Sequence, residues 1–390
     1  MEDVEWKIAM PLLSGCERIS TIDWGLWGER DGFQDPETSR ISKELQDMWP
    51  KASLRLIKYP WPSKRWYNMY TYTIPTANIV YISTQALKNR RRDFEPLGQL
   101  ISNSPKLKVL HLDSVRGGDI WKSIRVPPIQ ELVIKSCTWN YTPEEVNSVW
   151  DFSQLQVLVI AETLCAMSFL DSACGHVFPR LRKLAVRGIL DTRWGDSCTT
   201  RLNELIFKGH LLEELEINCQ LHLLQIESVC KHPNLATLKI HDFTGFGNEK
   251  MVCPTLTVTN MAGLLSHCPK LRDISLDLDQ SVCEAQEFIR SLSRFRSLQY
   301  IKLRMRSLLN ELGGNSSSVD VDLEAAKELG AILGSEKAGL PMISLTLWIA
   351  GYNESTNRWT AEWRVQRQQG HIPERCFKFS WSNGCWQVVG

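Results

Sequence analysis

Apolar residues recur along this chain in a short pattern at positions 1, 4 and 6 of a repeated unit. The clearest copy is MAGLLSHCPKLRDISLDL, residues 261–278, in which helix-spaced apolar residues lead through a Cys-Pro turn to Leu271, Ile274 and Leu276. Alternation at positions 4 and 6 predicts a strand with one buried face, and the proline ends the preceding helix. The predicted building unit is therefore one helix followed by one strand.

The pattern predicts nine regular copies of this strand between residues 107 and 347. Their spacing fits one strand, one helix and two connections. The copies are Leu107, Leu110, Leu112; Ile129, Leu132, Ile134; Leu155, Leu158, Ile160; Leu181, Leu184, Val186; Leu212, Leu215, Ile217; Leu235, Leu238, Ile240; Leu271, Ile274, Leu276; Leu298, Ile301, Leu303; and Met342, Leu345, Leu347.

Other matches to the pattern are looser or are rejected. Two loose copies are Ile19, Ile22, Trp24 and Ala77, Val80, Ile82, with a half copy at Leu54 and Leu56 between them. The residues Leu202, Leu205 and Phe207 also match, but they lie too close to Leu212 for a second strand, so they are assigned to a helix.

Four segments carry helix signals. Thr142-Pro143-Glu144-Glu145 predicts a helix start, with Thr142 as the N-cap and Glu145 completing a capping box. Helical spacing follows in two apolar sets, and the segment Leu323–Leu333 is predicted to be a helix that ends at Gly334. The two sets are Met261, Leu264, Leu265 and Phe288, Ile289, Leu292.

The two ends of the chain are rich in tryptophan. Six of the fifteen tryptophans precede residue 67 and five follow residue 347. Large aromatic side chains can cover the end faces of a stack of repeats, and they can also form a partner-binding patch. The residues are Trp6, Trp24, Trp27, Trp49, Trp61, Trp66, Trp348, Trp359, Trp363, Trp381 and Trp386.

Several segments between the repeats are predicted to be loops. Tyr59–Tyr72 indicates an insertion loop that is a candidate for recognition, Gly313–Ser318 a flexible link, and Gly351–Trp359 another loop. Arg90-Arg91-Arg92 is interpreted as a solvated loop rather than a localisation signal. Alternation around Ser382-Asn383-Gly384 predicts a hairpin that closes the last sheet edge.

Composition restricts the function classes. The net charge is +1, so no global field draws the chain to nucleic acid or to an anionic membrane. The first residues carry acids where a secretory signal needs bases, and no apolar window reaches a membrane span. The twelve cysteines form no C-x-x-C pair and are interpreted as buried thiols. The predicted location is intracellular, either cytoplasmic or nuclear.

The repeated PxLxxLxL units resemble leucine-rich repeats of the ribonuclease-inhibitor-like class. SHCPKLRDISL and SVCKHPNLATLKI look most like the cysteine-containing repeats of F-box proteins. The resemblance covers residues 100–310 well, and residues 15–100 and 320–350 loosely. The family's position 9 residue is matched by Cys137 and loosely by Thr163. No F-box is recognisable in the first forty residues, which leaves open whether the box is missing, diverged or lost by truncation of the chain.

The resemblance implies an α/β leucine-rich-repeat solenoid, with a curved parallel β-sheet on the concave side, helices on the convex side and a C-terminal β cap. The implied solenoid covers residues 1–350, and a Trp-rich β cap covers residues 351–390. Within the solenoid, irregular repeats (1–100) precede clearer repeats (101–310), a linker (311–320) and a last helix and strand (321–350).

Residues at positions 3, 5 and 7 of each strand are predicted to face the concave surface, where a partner protein would bind. Charges of both signs alternate there and balance, which favours a patterned protein surface over a polyanion. Solvated strand residues are the alternative. The candidates are His111, Asp113, Glu131, Lys135, Lys183, Arg187, Glu214, Glu216, Asn218, Lys239, His241, Asp273, Ser275, Asp277, Tyr300, Lys302 and Arg304, with Val157, Val159, Ala161 and Trp348 beside them.

No catalytic or metal-binding motif accompanies the repeats. His176, Cys165 and Cys174 offer only three unevenly spaced ligands, and the adjacent His267 and Cys268 do not make a catalytic pair. The prediction is a non-enzymatic interaction module without a cofactor, similar to the substrate-recognition or adaptor subunits of ubiquitin ligases. Its predicted partners are a ligase scaffold and a substrate protein, with no nucleic acid and no membrane. The alternative is a stand-alone scaffold, and a GTPase-activating protein is a more distant one.

Overall fold

The fold is mixed α/β with a mostly parallel sheet, as seen in a computed structural model. The structure describes residues 20–25, 51–60, 76–85, 95–115, 122, 124–161, 163–187, 192–209, 211–242, 252–305, 321–349, 375–382 and 385–389. The chain divides into two compact units, residues 1–157 and 158–390. The predicted linker at residues 311–320 lies outside the described residues, as do the predicted loops at 90–92 and 351–359.

The first unit contains five parallel strands that pair in chain order. The strands are β1 (Thr21–Gly25), β2 (Ser53–Pro60), β3 (Ile79–Gln85), β4 (Val109–Asp113) and β5 (Glu131–Lys135). A short 3-10 helix at Thr76–Asn78 precedes β3, and the described α-helices are α1 (Glu95–Ser102) and α2 (Pro143–Val149). Strand β6 (Val157–Ala161) begins at the last residue of this unit.

The second unit continues the alternation of strand and helix. Strands β7 (Lys183–Arg187), β8 (Glu214–Cys219), β9 (Thr237–Asp242), β10 (Asp273–Leu278), β11 (Tyr300–Met305) and β12 (Ser344–Ile349) are parallel neighbours in chain order. The helices are α3 (Thr163–Ala173), α4 (Thr192–Lys208), α5 (Ile226–Cys230), α6 (Val258–His267), α7 (Ala285–Ser293) and α8 (Val321–Glu336), with a 3-10 helix at Leu221–Leu223. Leu202, Leu205 and Phe207 lie in α4, as predicted.

The sheet ends in an antiparallel hairpin. Strand β13 (Arg375–Ser382) pairs antiparallel with β12, and β14 (Cys385–Val389) pairs antiparallel with β13. Ser382 pairs with Cys385, so two residues separate the strands, which confirms the predicted hairpin and its place on the edge of β12. Trp348 is the one tryptophan of the predicted terminal clusters whose side chain is described.

The apolar core is formed by the predicted strand positions. Every residue at positions 1, 4 and 6 of the nine regular copies is buried, none more than 4% exposed. Each buried aliphatic side chain contributes about 1.5–3 kcal/mol relative to an exposed one. The register of the regular strands is therefore confirmed.

The register of β3 differs from its prediction. Ile82 pairs with Leu56 on one side and Leu110 on the other, which makes it a position 4 residue rather than position 6. Position 6 is occupied by buried Thr84, whose hydroxyl accepts a hydrogen bond from the backbone N–H of Asp113 at 2.9 Å. The prediction was wrong because it required an apolar residue where a hydrogen-bonded threonine fills the core position.

Of two predicted helix ends, one is confirmed and the other is wrong. Thr142 and Glu145 form the predicted capping box: the Glu145 N–H donates to the Thr142 hydroxyl and the Thr142 N–H to the Glu145 carboxylate. Helix α8 continues through Gly334 to Glu336, so the predicted end at Gly334 was wrong. Burial of Leu329 and Leu333 holds this last turn, and this packing outweighs the poor helix propensity of one glycine.

Candidate functional site on the polar face of the sheet

The polar face is the side of the strands opposite the apolar core, formed by residues at positions 3, 5 and 7. All seventeen predicted site residues lie on strands β4, β5 and β7–β11, where alternate side chains point away from the core. Fourteen of them are exposed or half-buried. The other three, Ser275, Asp277 and Arg304, are buried, so their predicted exposure to a partner was wrong.

In the first unit a row of polar contacts crosses the five strands. Arg55 forms an ion pair with Asp23 at 3.1 Å and stacks over the Tyr81 ring, 4.7 Å from its centroid. The Tyr81 hydroxyl lies 3.1 Å from Nδ1 of His111, and Nε2 of His111 lies 2.8 Å from Oε1 of Glu131. These contacts order side chains on five successive strands, because each member contacts the next.

Three members of this row, Asp23, Arg55 and Tyr81, were absent from the predicted site. The pattern in β1–β3 is loose, so positions 3, 5 and 7 were not assigned there. The alternation in SLRLIK contains the missing signal, because Arg55 lies between buried Leu54 and Leu56 and must point to the opposite face.

In the second unit the polar face carries ion pairs between neighbouring strands. Lys183 and Glu214 are 2.6 Å apart, and Glu216 contacts Arg187 at 2.6 Å and Lys239 at 3.6 Å. Burial opposes ionisation of Glu216, but hydrogen bonds and charge from Arg187 and Lys239 outweigh it and lower its pKa. Half-exposed pairs of this kind contribute about 0–1 kcal/mol each. A partner protein can therefore replace these ion pairs with its own contacts at little cost in free energy.

Farther along the face, cations lie over aromatic rings. The Lys302 ammonium is 4.7 Å from the centroid of the Trp348 ring, and the Arg272 guanidinium is 5.5 Å from that of Tyr300. Burial raises the pKa of Asp273, and the negative charge of Glu214 raises it too, against the lowering effect of Lys239 and Arg272. This part of the face combines aromatic surface with single charges.

A buried cluster centres on Asp277, whose side chain is 0% exposed. Its carboxylate accepts hydrogen bonds from Nε and Nη2 of Arg304, from the backbone N–H of Asp242 at 2.7 Å, and contacts Nδ1 of His241 at 2.9 Å. Burial alone would raise the pKa of Asp277, but Arg304 and His241 lower it well below its usual range. The cluster is therefore a satisfied buried ion pair.

Ser275, His241 and Asp277 follow one another in the order of a nucleophile, base and acid. The Ser275 hydroxyl lies 3.1 Å from Nε2 of His241. Ser275 is only 3% exposed, so a substrate carbonyl has no access to it. The Asp277 carboxylate is in addition held by Arg304. The arrangement stabilises the packing of β9, β10 and β11.

Carboxylates at the ends of β9 and β10 hold the loops that follow the preceding strands, β8 and β9. Asp242 accepts a hydrogen bond from the backbone N–H of Leu221, and Asp279 from that of Cys253, each at 2.8 Å. The N–H of Asp279 donates in turn to the Thr255 hydroxyl at 2.9 Å. The sequence interpretation missed these residues, because an acid after a strand is normally read as exposed.

Most of the described thiols are buried. None of the nine described thiols is in a disulfide, and six of them are buried: Cys137, Cys174, Cys198, Cys219, Cys253 and Cys268. Burial raises the pKa of the Cys198 and Cys268 thiols to about 12, so both stay protonated. Within the described ranges no group of three or more His, Cys, Asp or Glu side chains is placed to hold a metal ion. Among the same residues no helix has the length and apolarity of a membrane span.

Comparisons with known proteins identify no family for this chain. No protein-family model matches the chain. A search of curated proteins finds no similar sequence either.

Proposed function

We propose that this chain is a non-enzymatic protein-interaction module that binds another protein through the polar face. The observation that supports it most is the set of half-exposed charges of alternating sign on neighbouring parallel strands, among them Lys183, Glu214, Glu216 and Lys239. Rigid strands hold these charges in fixed order, and complementary charge order gives specificity for a protein surface.

We propose further that the repeats are leucine-rich repeats of a solenoid. The buried residues at positions 1, 4 and 6 support this. The Sγ of Cys137, at the family's position 9, lies 3.4 Å from the carbonyl oxygen of Leu112 and 3.1 Å from that of Lys135, as in a side chain that holds neighbouring turns together. Thr84 and Asp242 make comparable contacts to the backbone at other strand ends.

The finer proposal is a substrate-recognition or adaptor subunit of a ubiquitin ligase. It rests on the type of repeat, since repeats with the SHCPKLRDISL pattern resemble those of F-box proteins. A stand-alone scaffold shares the polar face but has no ligase contact, so the two functions differ in which proteins co-purify.

Affinity purification with mass spectrometry tests the proposal. The variants exchange the two charges of an ion pair, so that the pair within the protein is kept. The double variant Lys183→Glu/Glu214→Lys preserves an ion pair in the protein but inverts the pattern shown to a partner. The matched control is Glu324→Lys/Lys327→Glu, which swaps an exposed pair at 2.8 Å on helix α8, away from the polar face.

We expect the polar-face swap to lose partners that the wild type and the helix swap both retain. Recovery of a cullin scaffold with its small adaptor by the full-length native protein supports the ligase role. Clean recovery of partners without them favours the scaffold. Identical partner sets for both swaps would refute binding through this face.

A further inference from the structure

In the second unit the turns that lead from a helix into the next strand are basic as a set, with cations in five of the six turns. These six turns, residues 174–182, 209–213, 231–236, 268–272, 294–299 and 337–343, are here called the basic edge. They contain eight Lys or Arg residues and one carboxylate, Glu213. The cations are Arg180, Arg182, Lys231, Lys270, Arg272, Arg294, Arg296 and Lys337. The chain's net charge of +1 conceals this local excess.

Backbone hydrogen bonds place these turns side by side. The carbonyl oxygen of Arg182 accepts from the N–H of Glu213, and that of Ala236 from the N–H of Arg272. The Arg272 carbonyl accepts in turn from the N–H of Gln299. Strands in a sheet lie about 4.8 Å apart, so six turns extend the basic edge over about 24 Å.

Side-chain contacts tie neighbouring turns together without neutralising the charge. Nζ of Lys270 donates to Oδ1 of Asn234 at 2.7 Å, and the Ser297 hydroxyl donates to the carbonyl of Pro269 at 2.8 Å. Both acceptors are neutral oxygens, so the ammonium charge of Lys270 persists.

A carboxylate pairs with only one of the eight cations among the described residues. Arg182 contacts Glu213 at 3.3 Å with both side chains about half exposed, which makes the pair weak. Seven of the eight cations are exposed, and Lys337 is half-buried against backbone carbonyls. The basic edge therefore keeps most of its positive charge at the surface.

Exposed aliphatic side chains lie in the same turns. Val177, Leu211, Leu340 and Ile343 are each between 39% and 63% exposed, and they are half of the large exposed apolar residues in the described part of the chain. Nucleic acids are bound by cations together with aromatic side chains that stack on bases. The two rings beside this edge, Phe207 and Tyr300, already lie against Lys231 and Arg272. Aliphatic groups among cations fit a peptide that carries acidic and apolar residues.

We infer that the basic edge binds an acidic segment of a partner protein that also contains apolar residues. An extended chain rises about 3.3 Å per residue, so the edge accommodates roughly seven residues. Carboxylates of the segment contact the cations, and its apolar side chains cover the exposed aliphatic groups. The basic edge adjoins the polar face where Arg272 lies over the Tyr300 ring, but its cations belong to the turns, and the inference does not depend on the proposed function.

Fluorescence anisotropy tests the inference with three labelled probes and the full-length chain. The first probe is the peptide Asp-Leu-Glu-Glu-Leu-Asp-Asp-Leu, the second is an all-glutamate peptide of the same net charge, and the third is a duplex DNA. Binding is measured at low salt and near physiological salt, because charge-driven contacts between exposed groups weaken as salt screens them.

The edge variant is Lys270→Glu/Arg272→Glu/Arg296→Glu. Its matched control, Arg201→Glu/Lys327→Glu/Lys378→Glu, makes the same change in net charge at exposed positions outside the six turns. Circular dichroism melting establishes that both variants fold.

We expect the first probe, the mixed peptide of acidic and leucine residues, to bind the wild type more tightly than the all-glutamate peptide does. The edge variant should weaken that binding at least about tenfold, since three favourable contacts become repulsive. The control variant and the polar-face swap Lys183→Glu/Glu214→Lys should bind as the wild type does.

Any one of three results would overturn the inference. The first is that neither peptide binds at low salt, and the second is that the edge and control variants lose affinity equally. The third is that duplex DNA binds more tightly than the mixed peptide and loses its affinity in the edge variant. The last result would assign the edge to nucleic acid. Because the polar-face swap is measured beside the edge variant, failure here leaves the proposed function separately testable.

Discussion

Replacing Arg304 by methionine removes the cation from the buried cluster and keeps most of the side-chain volume. Asp277 is then left with the contacts to His241, to the N–H of Asp242 and to Sγ of Cys253, having lost both hydrogen bonds from the guanidinium. Its side chain is 0% exposed, so water does not replace the missing donors. Removing one partner of a buried ion pair costs about 3–5 kcal/mol, and we expect a loss in that range at neutral pH.

The loss should depend on pH in a defined direction. The folded-state pKa of Asp277 is lowered, whereas an unfolded aspartate titrates near about 3.9. The group therefore stabilises the wild type fully above the unfolded pKa, and this contribution disappears as the pH falls through the folded pKa. The difference in the free energy of unfolding between the wild type and Arg304→Met should consequently become smaller below about pH 4.

Urea denaturation, with hydrogen exchange to follow the amides of β9–β11, measures this difference within the second unit. Lys302→Met is the control, because Lys302 is half-buried over Trp348 and its removal should cost less than about 1 kcal/mol. The double variant Asp277→Leu/Arg304→Met should be more stable than Arg304→Met alone, since no unpaired charge remains. A change within about 0.5 kcal/mol for Arg304→Met, or a double variant as unstable as the sum of its parts, would refute the reasoning.

Two further pairs of substitutions test the strand register and a turn. Ile274→Ala should cost about 2–5 kcal/mol in urea unfolding because Ile274 is fully buried, while Asp273→Ala should stay within about 0.5 kcal/mol; equal effects at the two positions would contradict the register. Gly339→Ala should lower thermal stability by at least about 1 kcal/mol, because φ is +76° and an added Cβ would lie 2.6 Å from the carbonyl oxygen of Arg296. Gly175→Ala meets nothing within 4 Å and should unfold like the wild type; matching melting curves for the two glycine variants would disprove the strain.

Much of the local structure was predictable because it repeats. Alternation of apolar residues has a period of two, so a shift by one residue would expose every core side chain. That constraint identified all nine regular strands, and the capping box at Thr142 identified the start of α2. Prediction failed at β3, where Thr84 satisfies its hydroxyl through the backbone of the next strand, a contact between residues distant in sequence.

For the candidate site, the sequence predicted which face of the sheet each side chain points to, but not whether that side chain is exposed. Residues 3, 5 and 7 lie on the polar face because successive strand side chains alternate. Whether such a residue reaches solvent depends on its neighbours across strands: Ser275 is buried beside His241, whereas Asp273, two residues earlier, is half-buried. No local pattern distinguishes these two positions.

The sequence by itself determined the positions of the nine regular strands, the side of each of these strands that enters the core, and the capping of one helix, since each depends on residues close together in the chain. Tertiary structure alone decided that Asp277 and Arg304 form a buried pair rather than a partner surface. It also gathered the cations of separate turns into the basic edge. Both outcomes depend on parallel pairing, which brings residues roughly thirty positions apart into contact across a spacing of about 4.8 Å.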